Sequence, residues 1–207
     1  DASWHLVNNR NAIEEYNLEH IKNALFFDLD KNSTQRKDLP HGPFLPSSSD
    51  HEKAVSDMVI SNTDRIIIYC NSDLISSCRA WFQFLYFGHD PKLVSVLNGG
   101  MKKWKLEGRK VTNLKTQIIP SSYKAKENKN MIKVKSQIDE SIKKKEFTVL
   151  DARSKNRFLG LESEPRPGVK NGSIDGSKSQ PLTELVNPMD NTFFDKKKLQ
   201  DIFNLSG

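Results

Sequence analysis

Apolar and polar positions along residues 49–108 follow two alternating periods. The stretch SSSDHEKAVSDMVI (47–60) spaces its apolar residues for one face of a helix, behind serines and an aspartate suited to an N-cap. RIIIYC (65–70) is a continuous β-branched run, the pattern of a buried strand. SSCRAWFQFLYFG then predicts a helix stopped by Gly88, with Trp81, Phe82, Phe84 and Phe87 in the core. KLVSVL predicts a second strand, and GGMKKWKLEG a short helix ending at Gly108. Strand, helix, strand, helix in this order predicts an α/β fold with a parallel central sheet flanked by helices.

Residues 109–130 lose this rhythm. They are polar, lysine-rich and contain Pro120, and they read as a linker between a first domain, 1–108, and a second, 131–207. Order returns in MIKVKSQIDESIKKKEFTVLDA, which predicts a short strand, a helix capped by Ser136 and a strand over 147–150. That segment ends on Asp151-Ala152 as the chain begins on Asp1-Ala2, and Ile174 follows at a distance similar to that of Ile21. The order of elements predicts an internal duplication. Cys70 ends the first unit's strand; the same spacing from Asp151 runs past Gly207, so the second domain is expected to be incomplete. With no initiating Met, the natural N-terminus is expected to be missing as well.

Composition narrows the partners. Hydrophobic residues make up 36% and charged residues 28%, enough for a packed core. No apolar run reaches the roughly 18 residues of a membrane span, and no signal peptide is visible at residue 1, so no membrane association is expected. The two cysteines, Cys70 and Cys78, have no metal-ligand spacing; neither a zinc site nor a disulfide is expected, and a reducing compartment is the simpler context. The net charge of +6 rests on lysine clusters such as 143–145 and 196–198, without interleaved aromatics. It predicts a solvated basic surface rather than a nucleic-acid site.

Candidate chemistry sits in three places. Cys70 stands between a strand and a helix, where nucleophilic thiols are often presented. A thiolate or persulfide there needs a cradle of backbone N–H groups, usually built with glycine. CNSDLISS holds no glycine, Asp73 adds a negative charge, and Ser76 breaks a Cys-x5-Arg pattern. In NRFLGLESEPRPG, Arg157 and Arg166 either grip a carboxylate or pair with Glu162 or Glu164 nearby. Arg153 reads as structural. Asp30 in FFDLD and His41 in LPHGP form either a proton-relay pair or ordinary turn residues.

The ordered series DASWHL, HIKNALFFDLD, LPHGPFLP, SCRAW, FGH and VLNGGMKKW, followed by LDARSKNRFLGLESEPRPG and PLTEL, resembles the two-domain rhodanese-like sulfurtransferases, above all those acting on 3-mercaptopyruvate. The resemblance covers nearly the whole chain. It implies tandem rhodanese-like domains and transfer of sulfur from 3-mercaptopyruvate, or thiosulfate, to a thiol such as a thioredoxin-like protein or to cyanide, through a cysteine persulfide and without a cofactor. It places the nucleophilic cysteine in a second-domain loop beyond Gly207, and Cys70 in the silent first-domain loop, where the family commonly has Asp. Arg157 and Arg166 become substrate-binding residues, and Asp30 and His41 a relay with a serine of the catalytic loop. The chain departs from the family at Ser173 and Asp175, where GSIDG replaces the usual GHIPG. The resemblance implies a cytoplasmic location, or a mitochondrial one in a eukaryote. Two other outcomes stay open: a non-catalytic rhodanese-like binding module, and a single-domain sulfur carrier using Cys70.

Overall fold

The computed structural model describes residues 1–6, 9–33, 45–72, 75–118, 121–165 and 168–206. They form two compact units, Asp1–Lys129 and Asn130–Gly207.

In the first unit, helix α1 (Ala12–Leu18) starts at Asn11, and α2 (Ser48–Asp57) starts at Ser47, whose hydroxyl accepts from the Asp50 N–H at 3.1 Å. The cap is the serine expected from the sequence. Strand β1 (Ile66–Ile68) leads through a loop into α3 (Ser77–Tyr86), and β2 (Val94–Val96) into α4 (Gly100–Leu106). β1 and β2 pair in parallel, Ile66 opposite Val94 and Ile68 opposite Val96, with α3 as the crossover. Gly88 and Gly108 take positive φ, 83° and 65°, and end α3 and α4 where expected.

The core gathers Phe27, Val55, Ile68, Ala80, Phe84, Val94 and Tyr123. Phe84 and Phe87 lie inside as predicted, but Trp81 is 37% exposed. The buried stripe of α3 runs through Ser77, Ala80 and Phe84, so small Ala80 faces the core and Trp81, one step further round, turns outward. The stretch expected as a linker, 109–130, contributes to this unit through residue 129. Thr112 and His20 exchange backbone hydrogen bonds of 2.7 and 2.8 Å, and the Lys126 N–H donates to the Phe87 carbonyl at 2.9 Å. Tyr123 is 1% exposed and is the apolar anchor of an otherwise polar strap.

The turn into α4 is tightly set against the loop that follows β1. A Cβ on Gly100 would stand 2.5 Å from the Cys70 carbonyl oxygen, and the residue has φ +51°. That carbonyl also accepts from the Met101 N–H at 3.0 Å, so it has little freedom to retreat. Gly100→Ala should lower unfolding free energy by more than about 2 kcal/mol in denaturant titration. Gly108→Ala meets nothing within 4 Å and should cost only about 1 kcal/mol, the strain of its backbone.

The second unit is built differently. A strand is expected near residue 131, but Lys129–Met131 make a 3₁₀ turn. Helix α5 (Lys135–Lys144) starts from Val134, not Ser136: the Gln137 side chain reaches back to accept from the Val134 N–H at 3.0 Å. That one-way contact puts Val134 at the cap, two residues before Ser136. Strand β3 is Leu150–Asp151, later and shorter than expected, and pairs in parallel with β4 (Lys178–Ser179). Helix α6 (Lys155–Phe158) and α7 (Lys196–Ser206) complete the described elements. Among the described residues, only Ser141, Gln180 and Pro181 are buried in this unit, and Leu150, Leu161 and Ile174 are exposed. Its strand end is held by polar groups instead.

One local device recurs in both units. The Asp1 carboxylate accepts from the Ser3 N–H at 2.8 Å, and the Asp151 carboxylate from the Arg153 N–H at 3.0 Å. In each, the aspartate turns the chain as it leaves the strand position.

Candidate functional site

At the end of β1 the described residues around Cys70 are packed together. Cys70 is 8% exposed, and its thiol lies 3.4 Å from the Ser77 hydroxyl. The Asn71 N–H donates to Ser3 Oγ at 2.7 Å, so the nearest following amide is already committed. Ser72 Oγ accepts from the Trp4 N–H at 2.8 Å and shares a hydrogen with Ser76 Oγ at 2.9 Å; Ser76 in turn donates to the Ala2 carbonyl at 2.7 Å. Hydroxyls fill the space in which an anion would need amides. Cys78 is half-buried, and burial, with a smaller effect of Cys70, pushes its thiol up to about 11. A thiol held protonated is a poor nucleophile. Asp73 lies outside the described residues.

Asp30, one of the expected relay residues, is exposed at the edge of a cavity of about 250 Å³ also lined by Trp4, His5, Arg10 and Asp28. Its Oδ1 accepts from the Trp4 indole N–H at 2.9 Å. Asp28 holds the turn by accepting from the Asp30 and Lys31 N–H groups at 3.1 and 3.0 Å. Beside the same cavity, Arg10 grips Glu15 through Nε and Nη2 at 2.6 and 2.7 Å and donates to the Asn71 carbonyl at 2.7 Å. The Arg10 hydrogen bond is the largest cause of a lowered Glu15 carboxyl. His41 lies outside the described residues, so the Asp30–His41 pairing expected from the sequence has no described geometry.

In the second unit, the strand β3 delivers Asp151 to a cluster of guanidiniums. Asp151 accepts from Arg153 Nε at 2.9 Å and Nη2 at 2.5 Å, and Arg153 is the main reason its carboxyl is depressed. Arg153 continues through Nη2 to the Gly172 carbonyl at 2.7 Å and through Nη1 to Glu164 Oε1 at 2.5 Å. Its structural assignment matches this geometry, since its donors are engaged by the protein on several sides. Arg157 sits on α6, started by Ser154, whose hydroxyl accepts from the Arg157 N–H at 3.3 Å. Arg157 binds Glu164 through Nε at 3.2 Å and Nη2 at 2.5 Å. Arg166 lies outside the described residues.

Glu164 therefore bridges two arginines. Its side chain is 5% exposed, that of Arg157 21% and that of Arg153 26%. Hydrogen bonds from Arg157 first, then Arg153, hold the Glu164 carboxyl below the usual range. The pairing of Arg157 with Glu164, one of the alternatives open from the sequence, is the one observed. It does not consume the guanidinium: among the described residues Nη1 has no partner, and the Nη1–Nη2 edge is left for a second carboxylate. The sequence offered Glu164 as a partner for Arg157, but its second bond, to Arg153, was not read from it. The signal for that bond is opposite charge eleven residues apart, in a stretch rich in both signs.

A parallel strand–loop–helix domain with an occupied loop, joined in sequence to a unit with an arginine cluster at a strand end, defines a recognisable class. Residues 1–107 match the rhodanese-like domain, and the chain belongs to that family. It is 36% identical over 189 residues to the thiosulfate sulfurtransferase of Bos taurus, covering 90% of this chain and 62% of that protein. It is 34% identical to the 3-mercaptopyruvate sulfurtransferase of Mus musculus, with the same coverage. The chain thus spans about three fifths of the length of the curated relatives it matches. SseA from Escherichia coli, a 3-mercaptopyruvate sulfurtransferase, superposes with a TM-score of 0.84 at 26% identity over 96% of this chain and 72% of that one. Among the described residues, no helix is long and apolar enough to cross a membrane, and no group of three or more His, Cys, Asp or Glu is placed to hold a metal ion.

Proposed function

We propose that this chain forms the first rhodanese-like domain, 1–108, and the front of the second, 131–207, of a sulfurtransferase. The donor is 3-mercaptopyruvate or thiosulfate, and the acceptor a small thiol, a thioredoxin-like protein or cyanide. Arg157 and Arg166 hold the donor's anionic group, while Asp30 and His41 assist proton movement near the reacting sulfur. The nucleophile is a cysteine beyond Gly207. Its thiolate attacks the donor sulfur. With 3-mercaptopyruvate the sulfur–carbon bond breaks and the carbon leaves as the enolate of pyruvate, which takes up a proton. With thiosulfate the sulfur–sulfur bond breaks and sulfite leaves. The sulfur stays on the enzyme as a persulfide, whose outer sulfur the acceptor then removes, releasing the thiolate. A reducing compartment, cytoplasmic or mitochondrial, suits this thiol chemistry; one relative, from Arabidopsis thaliana, is described as mitochondrial.

The observation that carries the reading is the free edge of Arg157, a cation held in place at the end of β3 with donors left over for a carboxylate. Supporting it, the occupied loop around Cys70 makes the first unit's own thiol an unsuitable nucleophile. Intact mass after 3-mercaptopyruvate treatment tests it. The protein extended to the length of its relatives should gain the mass of one sulfur atom, and Cys70→Ser in that protein should gain it equally. Loss of the gain in Cys70→Ser would give the carrier role to Cys70. No gain in either form would favour a non-catalytic binding module.

A further inference from the structure

We infer that Glu164 sets the charge preference of the Arg157 site, making it a receptor for singly charged donors and disfavouring doubly charged ones. The inference rests on the proposed role of Arg157 in holding the donor.

The geometry is a shared cation. Glu164 occupies the Nε and one Nη2 hydrogen of Arg157, and its Oε1 is held from the other side by Arg153 at 2.5 Å. Its side chain is 5% exposed, so little water stands between its carboxylate and the guanidinium. Within the cluster, Arg153 and Arg157 carry two positive charges and Asp151 and Glu164 two negative ones, which leaves no net charge. An anion that docks on the Nη1–Nη2 edge of Arg157 therefore meets a directional hydrogen-bonding group whose charge is offset from behind by Glu164. A planar carboxylate matches that edge through two parallel bonds. The offset scales with ligand charge, so Glu164 takes from a compact dianion twice the Coulomb free energy that it takes from a monoanion.

This reasoning has a quantitative signature. The repulsion from Glu164 is proportional to the charge on the ligand. Removing the carboxylate charge should therefore multiply the affinity of a dianion by the square of the factor gained by a monoanion. If pyruvate gains about fivefold, sulfate should gain about 25-fold. The dianion's greater dehydration does not disturb the comparison, since it is the same for both forms of the protein. A purely structural role for Glu164 predicts something else: loosening Arg157 would weaken both anions together.

The test is isothermal titration calorimetry of pyruvate and of sulfate, without turnover, on the protein at its natural length. Glu164→Gln should tighten sulfate far more than pyruvate, following the square relation. Glu164→Asp draws the carboxylate back by one methylene; it should move both affinities the same way by smaller factors that keep that relation, and it serves alone if Glu164→Gln does not fold. Equal factors for the two anions, or weakening of both, would overturn the inference. Arg157→Met separates it from the reading beneath it. Unchanged binding of both anions in Arg157→Met would remove the proposed role of Arg157. Weakened binding there, with no charge discrimination at Glu164, would remove only the role of Glu164.

Discussion

Arg157→Ala, in the protein at its natural length, should lower kcat/KM for 3-mercaptopyruvate by about a hundredfold to a thousandfold. Two effects add. In the role proposed for Arg157, the donor's carboxylate loses its paired hydrogen-bond donors, and Glu164, held by two bonds from Arg157, keeps only its contact with Arg153. The second effect leaves a nearly buried carboxylate facing the incoming anion with half of its compensation gone. Arg157→Lys should recover only a small part of the loss, since one ammonium cannot serve Glu164 and a substrate with the same planar fork. Thermal unfolding should show that both variants fold. Steady-state transfer to cyanide measures the effect, and a change of less than about threefold in Arg157→Ala would show that this side chain does not hold the substrate.

The first unit should lose stability steeply in mild acid. His51 is fully buried in α2, stacked on Phe87 with ring centroids 4.1 Å apart and edge-on to Tyr123 at 5.6 Å. Its Nδ1 faces Gln83 Nε2 at 3.2 Å, and Gln83 also donates to the Asn32 carbonyl at 2.9 Å. The imidazole thus accepts one hydrogen bond, and among the described residues its Nε2 has no partner. Burial, with a smaller contribution from His89, pushes its pKa from 6.5 down to about 3. The folded form therefore keeps His51 neutral where the unfolded chain has already bound a proton. Its contribution is fully present above pH 6.5 and is lost progressively as pH falls toward 3. The slope is about 1.4 kcal/mol per pH unit, so two units below the unfolded pKa the loss is about 2–3 kcal/mol. Denaturant unfolding at neutral pH and in mild acid measures it. His51→Phe, which keeps the stack without a titrating group, should flatten that part of the profile. An unchanged slope would assign the acid sensitivity to the paired carboxylates of the same unit, Glu15, Glu52 and Glu127.

Both effects come from arrangements that differ in how far they were legible. The helix start at Ser47, the strand at Ile66–Ile68 and the glycine stops at Gly88 and Gly108 are local: a cap, a β-branched run and a positive φ act within a few residues. The parallel pairing of β1 with β2 follows from their order and from the helix between them. Trp81 marks the limit of that reasoning. Helical spacing identified an apolar face, yet the packing of Ala80 against the sheet decided which aromatic side chains it included.

The second unit exposes the same limit more sharply. A start signal at Ser136 was overridden by Gln137 reaching back to the Val134 N–H, although valine offers no side-chain cap of its own. Polar composition hid Tyr123, one buried ring in a lysine-rich strap, because averaging over a segment cannot see a single anchor. The sequence by itself determined the fold class, the family and the residue types of the site, since glycines, caps, strand runs and motif order are written along the chain. Only the tertiary structure decided that Cys70 is packed behind hydroxyls and that Glu164 joins Arg153 to Arg157. Those facts depend on how loops fold back on themselves, which composition and periodicity do not record, and electrostatic and hydrogen-bonding energies are set by distance in space.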